Sequence, residues 1–263
     1  MTRSVILLLL LVPLTACGPS ESEIREGYVE GEFITVAVPE AGWVDQVAVV
    51  EGDEVAPGTL LFTLEATREQ AARDAAAANV KAAEARLILA DQNLVRQESL
   101  AQTVASARKD LDAARSERAA AAAALDAARS ELTRAEWSLD QRRVLARTNA
   151  RVEDVVRHKG DYVAAGGAVV LMLPPENLKL RFFVPEPMLA AMKPGMKVGV
   201  SCDGCPDEMT ATVGFIAREA EFTAPFIFSV GNRERLVFLV EARPDGEAKA
   251  LRPGLPVEIQ LKP

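Results

Sequence analysis

The sequence predicts a mainly β chain with an inserted α-helical coiled-coil hairpin, its β part being a small split sandwich followed by a small antiparallel barrel. Three observations lead there. Two segments 108 residues apart carry the same pattern of valines, Gly-Asp pairs and glycines. About eighty residues without Gly or Pro lie between them. After Pro174-Pro175 the apolar residues alternate with polar ones in short runs, the period of half-buried strands.

The chain opens with Arg3, an apolar run over 5–14, and then Leu14-Thr15-Ala16-Cys17. This is the pattern of a signal peptide. Its apolar run is about half the length needed to cross a hydrocarbon core, which argues against a permanent transmembrane helix. The stretch resembles the bacterial lipoprotein signal, which implies that the Cys17 thiol is acylated and becomes the new N-terminus. An ordinary cleavable signal with an incidental cysteine is the alternative. A formal charge of −8 with no clustered Lys/Arg excludes the basic face that nucleic-acid binding requires.

The repeat begins with Val44-Asp45-Gln46-Val47, Gly52-Asp53-Glu54-Val55 and Gly58, followed by an apolar strand over Leu60–Leu64. Its second copy is Val152-Glu153-Asp154-Val155, Gly160-Asp161-Tyr162-Val163 and Gly166, followed by Ala168–Leu173. Glycines at matched places suit tight turns with positive φ, and the valines suit pleated faces. Two such halves make one β-sandwich.

The insertion between them is dominated by Ala, Glu, Arg, Gln and Leu, with Trp137 its one aromatic residue. That composition is helical. Val80, Leu87 and Leu94 recur every seven residues, with Ala76, Ala83 and Ala90 each four places before one of them. Val104, Leu111, Leu125, Leu132 and Leu139 continue the pattern, with Ala114, Ala121, Ala128 and Ala135 as small partners. This is a heptad seam. One straight helix would be about 120 Å long and would strand each half-sandwich with unpaired edges, so a hairpin is required. Its turn is expected at 102–106, near the midpoint, where Thr103, Val104 and Ser106 are poor helix formers.

Beyond Pro174, strands are expected over 178–184, 197–202, 210–216, 236–242 and 256–261, with turns at Pro194-Gly195 and Pro253-Gly254 and a short helix between Pro185 and Met192. Phe222, Phe226, Ile227 and Phe228 either cap the barrel or form a docking surface. Cys202 and Cys205 flank Asp203-Gly204, a favoured hairpin turn, so the two cysteines are expected to face each other across neighbouring strands in a disulfide. Free buried thiols, or metal or redox work, are the other readings. A zinc site would want further ligands, and His158 is the single histidine. With one histidine, no nucleophile elbow and no Gly-rich phosphate loop, no catalytic set is expected, and the chain reads as no enzyme.

Each half of the repeat resembles half of a lipoyl or biotinyl carrier domain. In such a domain a lysine at the turn joining the halves carries the cofactor. Here the insertion replaces that turn, so no lipoyl or biotinyl group is expected. Lipoprotein signal, split carrier-like sandwich, hairpin and barrel, in that order, resemble the HlyD-type membrane fusion proteins, or periplasmic adaptors. Further resemblance lies in Pro185-Glu186, Lys193-Pro194-Gly195 and Leu251-Arg252-Pro253-Gly254-Leu255. The segments are then a lipoprotein signal (1–17), a tether with a first barrel or membrane-proximal strand (18–35), lipoyl-like halves (36–65 and 147–175), the hairpin (66–146) and the barrel (176–263).

The resemblance implies an adaptor that sits in the periplasm, held to the inner membrane by the Cys17 lipid, and assembles into a homo-oligomeric ring. It would join an inner-membrane transporter, with the ABC type favoured over proton-driven pumps, to a TolC-type outer-membrane channel. It also implies a channel-docking hairpin tip. Arg96 and Leu100 match the family's pattern there, while its serine position falls on Ala107 with Ser106 one residue early. The alternatives are a free-standing envelope structural lipoprotein and a carrier-domain enzyme subunit.

Overall fold

A computed structural model describes residues 23–101, 108–206, 208–222, 236–246 and 250–261. It divides into two units, one spanning Glu32–Asn177 and the other formed by the strand ending at Gly31 together with the chain from Leu178 onward. In chain order the first elements are β1 (Glu23–Gly31), β2 (Ile34–Ala37), β3 (Gly42–Val47), β4 (Glu54–Val55) and β5 (Leu60–Leu64). Two long helices follow, α1 (Thr67–Ala101) and α2 (Arg108–Asp140). Next come β6 (Arg143–Leu145), β7 (Ala150–Val155), β8 (Tyr162–Val163), β9 (Ala168–Leu173) and β10 (Leu178–Pro185). The short helix α3 (Glu186–Leu189) leads to β11 (Lys197–Ser201), β12 (Thr210–Ile216), β13 (Glu221–Phe222), β14 (Leu236–Pro244) and β15 (Pro256–Leu261).

The unit Glu32–Asn177 is a sandwich of two four-stranded sheets, β2-β9-β7-β4 and β6-β5-β3-β8, from which the helices project as one insertion. Its core repeats the 108-residue spacing. Val38, Val44, Val55, Leu61, Phe62 and Leu64 are buried, and so are Ala146, Val152, Val163, Val169, Val170 and Met172 at the matching places. Each large apolar side chain so buried contributes about 1.5–3 kcal/mol.

The turns tie one half to the other. Gly52 N donates to Val152 O and Gly160 N to Val44 O, both at 2.8 Å. Asp53 Oδ2 accepts from Val50 N and Asp161 Oδ2 from His158 N, both at 2.9 Å. Gly52 and Gly160 have φ of 94° and 93°, a conformation that disfavours any side chain. Because the Gly52 and Gly160 turns each bond a strand of the other half, neither half can close alone, and the insertion has to return to its starting point.

The sandwich takes more of the chain than the sequence pattern indicates. The second helix stops at Asp140, and 143–145 pairs with β5 through Leu60↔Leu145 and Phe62↔Val144. Val144 packs half-buried on the core, which is why the helix gives way to a strand there. At the other end β2 begins at Ile34 and pairs with β9.

In the other unit, β10-β1-β15-β11-β12-β14 are hydrogen-bonded in that order, and β10 pairs with β14 to close a six-stranded barrel. Closure removes exposed sheet edges. The alternation along β10 is complete, with Leu178, Leu180, Phe182 and Val184 buried and the residues between them partly exposed. The short helix expected after Pro185 is α3, a single turn.

Candidate functional site

The hairpin is built from the seam outward. Ala76, Ala83 and Ala90 of α1 and Ala114 and Leu125 of α2 are buried, with Val80, Leu87, Leu94, Leu111, Leu132 and Leu139 partly so. Small residues alternating with large ones let two helices of about 50 Å pack closely. Arg118 stands where the heptad asks for an apolar residue. Its Nε donates to Asp91 Oδ1 across the hairpin at 3.0 Å, and Arg129 reaches Glu84 at 3.4 Å. Exposed pairs like these add little stability, but they fix which residues of the two helices lie opposite.

Arg96 and Leu100 lie near the end of α1, one turn apart and on one side of the helix. Both are off the seam, and Leu100 is 46% exposed. The turn expected at 102–106, with Ser106 and Val104, lies outside the described residues, as do Cys17 and the stretch holding Phe226, Ile227 and Phe228. Ile88, Leu89 and Val95 are also exposed on α1, at 58%, 64% and 62%. At the height of Ile88 and Leu89, set by the Arg118–Asp91 pair, α2 presents exposed Ala119, Ala120 and Ala123. The heptad search passes over these residues because it selects for the seam and discards what lies outside it.

The two cysteines meet, but not across strands as the Asp-Gly pair suggests. Cys202 and Cys205 both sit in the connection after β11, their Cα atoms 5.2 Å apart and their sulfurs in bonding contact. A turn links them directly: Cys205 N donates to Cys202 O at 3.1 Å, with Gly204 at φ 87°. The strand pairing ends earlier, at Gly199↔Thr210, so Asp203-Gly204 turns within a longer loop and does not join the two strands.

Several ionic clusters carry no motif. Glu30, Lys179, Arg181 and Glu241 form a linked set on the barrel, with Lys179 Nζ 3.0 Å from Glu241 and Arg181 Nη1 2.9 Å from Glu30. Asp245 accepts from Thr210 and Thr212, and hydrogen bonding by Thr212 above all holds its carboxyl below the usual range. At the start of α1, hydrogen bonds from Thr67 hold the exposed Glu65 carboxyl low as well. Among the described residues no His/Cys/Asp/Glu group could hold a metal ion, and no helix is long and apolar enough to cross a membrane.

No protein-family model matches the chain. A UPF0194 membrane protein of Acidithiobacillus ferridurans is 32% identical over 120 residues, 45% of this chain and 36% of its own length. One from an Enterobacter strain is 25% identical over 119 residues, with the same coverage. The match thus spans little more than a third of these curated relatives. Among solved structures, the membrane fusion protein Spr0693 of Streptococcus pneumoniae is 25% identical, with a TM-score of 0.59 over 92% of this chain and 99% of its own. MacA of Actinobacillus actinomycetemcomitans gives a TM-score of 0.70 at 14% identity, over 92% and 78% of the two chains.

Proposed function

Starting from the architecture that the chain shares with solved membrane fusion proteins, we propose that it is a periplasmic adaptor and no enzyme. It is held to the inner membrane by a lipid on Cys17. It couples an inner-membrane transporter of the ABC type to a TolC-type outer-membrane channel for export of small molecules or other substrates. The observation that carries this is the pair of helices, each about 50 Å long, inserted into a sandwich whose halves interlock. A free carrier domain has no use for such an arm, and an arm with exposed Arg96, Leu100, Ile88, Leu89 and Val95 is more than a solvated strut.

In this reading the end of α1 docks on the channel and the barrel meets the transporter. The exposed apolar residues of α1 pack on the alanine face of α2 in the next copy, giving a ring. The chain does no chemistry and carries no lipoyl or biotinyl group, since the hairpin occupies the place of the carrier turn. Its work is geometric, and the energy comes from the transporter. Crosslinking in intact cells, followed by pull-down of the tethered protein and identification of partners by mass, tests this. An inner-membrane transporter and an outer-membrane channel are expected together; recovery of neither would favour the free-standing envelope lipoprotein.

A further inference from the structure

Among the described residues two charged side chains are buried, Glu69 at 6% exposure and Arg142 at 5%, and they face each other. Both sit at the root of the hairpin. Glu69 is in the first turn of α1, and Arg142 lies between α2 and β6. Arg142 Nη2 donates to Glu69 Oε1 at 2.7 Å and to Glu40 Oε2 at 3.1 Å, while its Nη1 donates to Ala41 O at 3.1 Å. One guanidinium therefore joins three pieces of chain: the entry to the hairpin, its exit, and the sandwich loop before β3. Gly42 makes the space, since a Cβ there would lie 2.8 Å from Nη1.

Burying an ion pair is costly, and apolar residues of similar size stabilise as well or better, so stability alone does not account for this one. What an arginine fork supplies is direction, because its donors meet several acceptors in one fixed geometry. The covalent link at each helix root is two residues long, Glu65-Ala66 on entry and Gln141-Arg142 on exit. Backbone bonds at this junction, Glu65 N to Trp43 O at 2.9 Å and Leu64 N to Arg142 O at 2.8 Å, hold the chain ends but not the helix axes.

We infer that Arg142 is the rivet that sets the direction of the hairpin against the sandwich, with Glu69 on the helical side and Glu40 and Ala41 on the fixed side. This does not depend on what the hairpin binds. The test uses the full chain with spin labels on unnatural amino acids at Gln92 and Val50, which leaves the cysteines untouched. In the double variant Arg142→Met/Glu69→Leu no buried charge is orphaned, since the carboxylate left behind, Glu40, is 41% exposed, so the thermal midpoint should stay within roughly 3 °C of the parent. The distance distribution between the labels should widen about twofold, as a rigid joint becomes a hinge. A folded double variant with the parental width overturns the inference. Should the double variant not fold, Arg142→Lys decides in its place. Lysine keeps the charge but carries its donors on one nitrogen, without the planar fork that meets Ala41 through Nη1 and both carboxylates through Nη2, so a widened distribution upholds the rivet and an unchanged one removes it.

Discussion

Asp245 accepts hydrogen bonds from Thr210 and Thr212 on separate oxygens, at 2.9 and 2.8 Å, and faces Lys197 at 3.3 Å. Its carboxyl is held low in the folded barrel, so the unfolded chain takes up this proton at higher pH than the folded one does. The stability gained is complete above the ordinary aspartate value, about 3.9, and is lost as pH falls through the lowered folded value. Asp245→Asn should therefore lower the urea midpoint at neutral pH, and the difference should begin to shrink as pH falls below about 4. Parallel curves from neutral to acid pH would contradict the clamp. Cys202 and Cys205 close a very short ring, so a disulfide between them adds only on the order of 1–2 kcal/mol. We expect no free thiol at either position in the unreduced, unfolded protein; a count of two would refute the bond. The disulfide is legible in the sequence, and the clamp on Asp245 is not. The cysteine pair is visible in the chain, but its place inside a loop and the three contacts of Asp245 depend on where β11, β12 and β14 bring distant residues.

Helices and strands were far more legible than the residues between them. The repeat forecast the sandwich because the same spacing governs turns and core alike, from Val44 and Val152 to Phe62 and Val170. The heptads forecast the seam for a similar reason, since periodicity reports which face is buried. It says little about what the other face does, so it does not single out Ile88, Leu89 and Val95. Arg142 and Glu69 carry no sequence signal, because they lie 73 residues apart with no pattern joining them. Two substitutions separate the roles of seam and outer face. Leu125→Asp places a charge at a position only 5% exposed and should destabilise the hairpin by about 3–5 kcal/mol, seen as loss of helical signal on mild heating. Leu100→Asp, at a position 46% exposed, should leave that melting curve within roughly 0.5 kcal/mol of the parent. Equal destabilisation by both would mean that Leu100 belongs to the packing of the hairpin.

In the proposed reading the chain combines a lipid tether, a barrel and an arm, and each can be disabled alone. Loss of the lipid should leave the fold intact while moving the protein: Cys17→Ser is expected in the soluble periplasmic fraction, and a variant that stays membrane-bound with unchanged mass would exclude lipid attachment at Cys17. The central claim is that one molecule touches two different membrane partners through two different surfaces. Site-resolved photocrosslinking tests it most directly. One probe replaces Leu100 on α1, and a second replaces Phe215, 51% exposed on the barrel strand β12. In cells, the Leu100 probe should capture an outer-membrane channel and the Phe215 probe an inner-membrane transporter. Capture of the same protein by both probes, or of neither class by either, would contradict the adaptor.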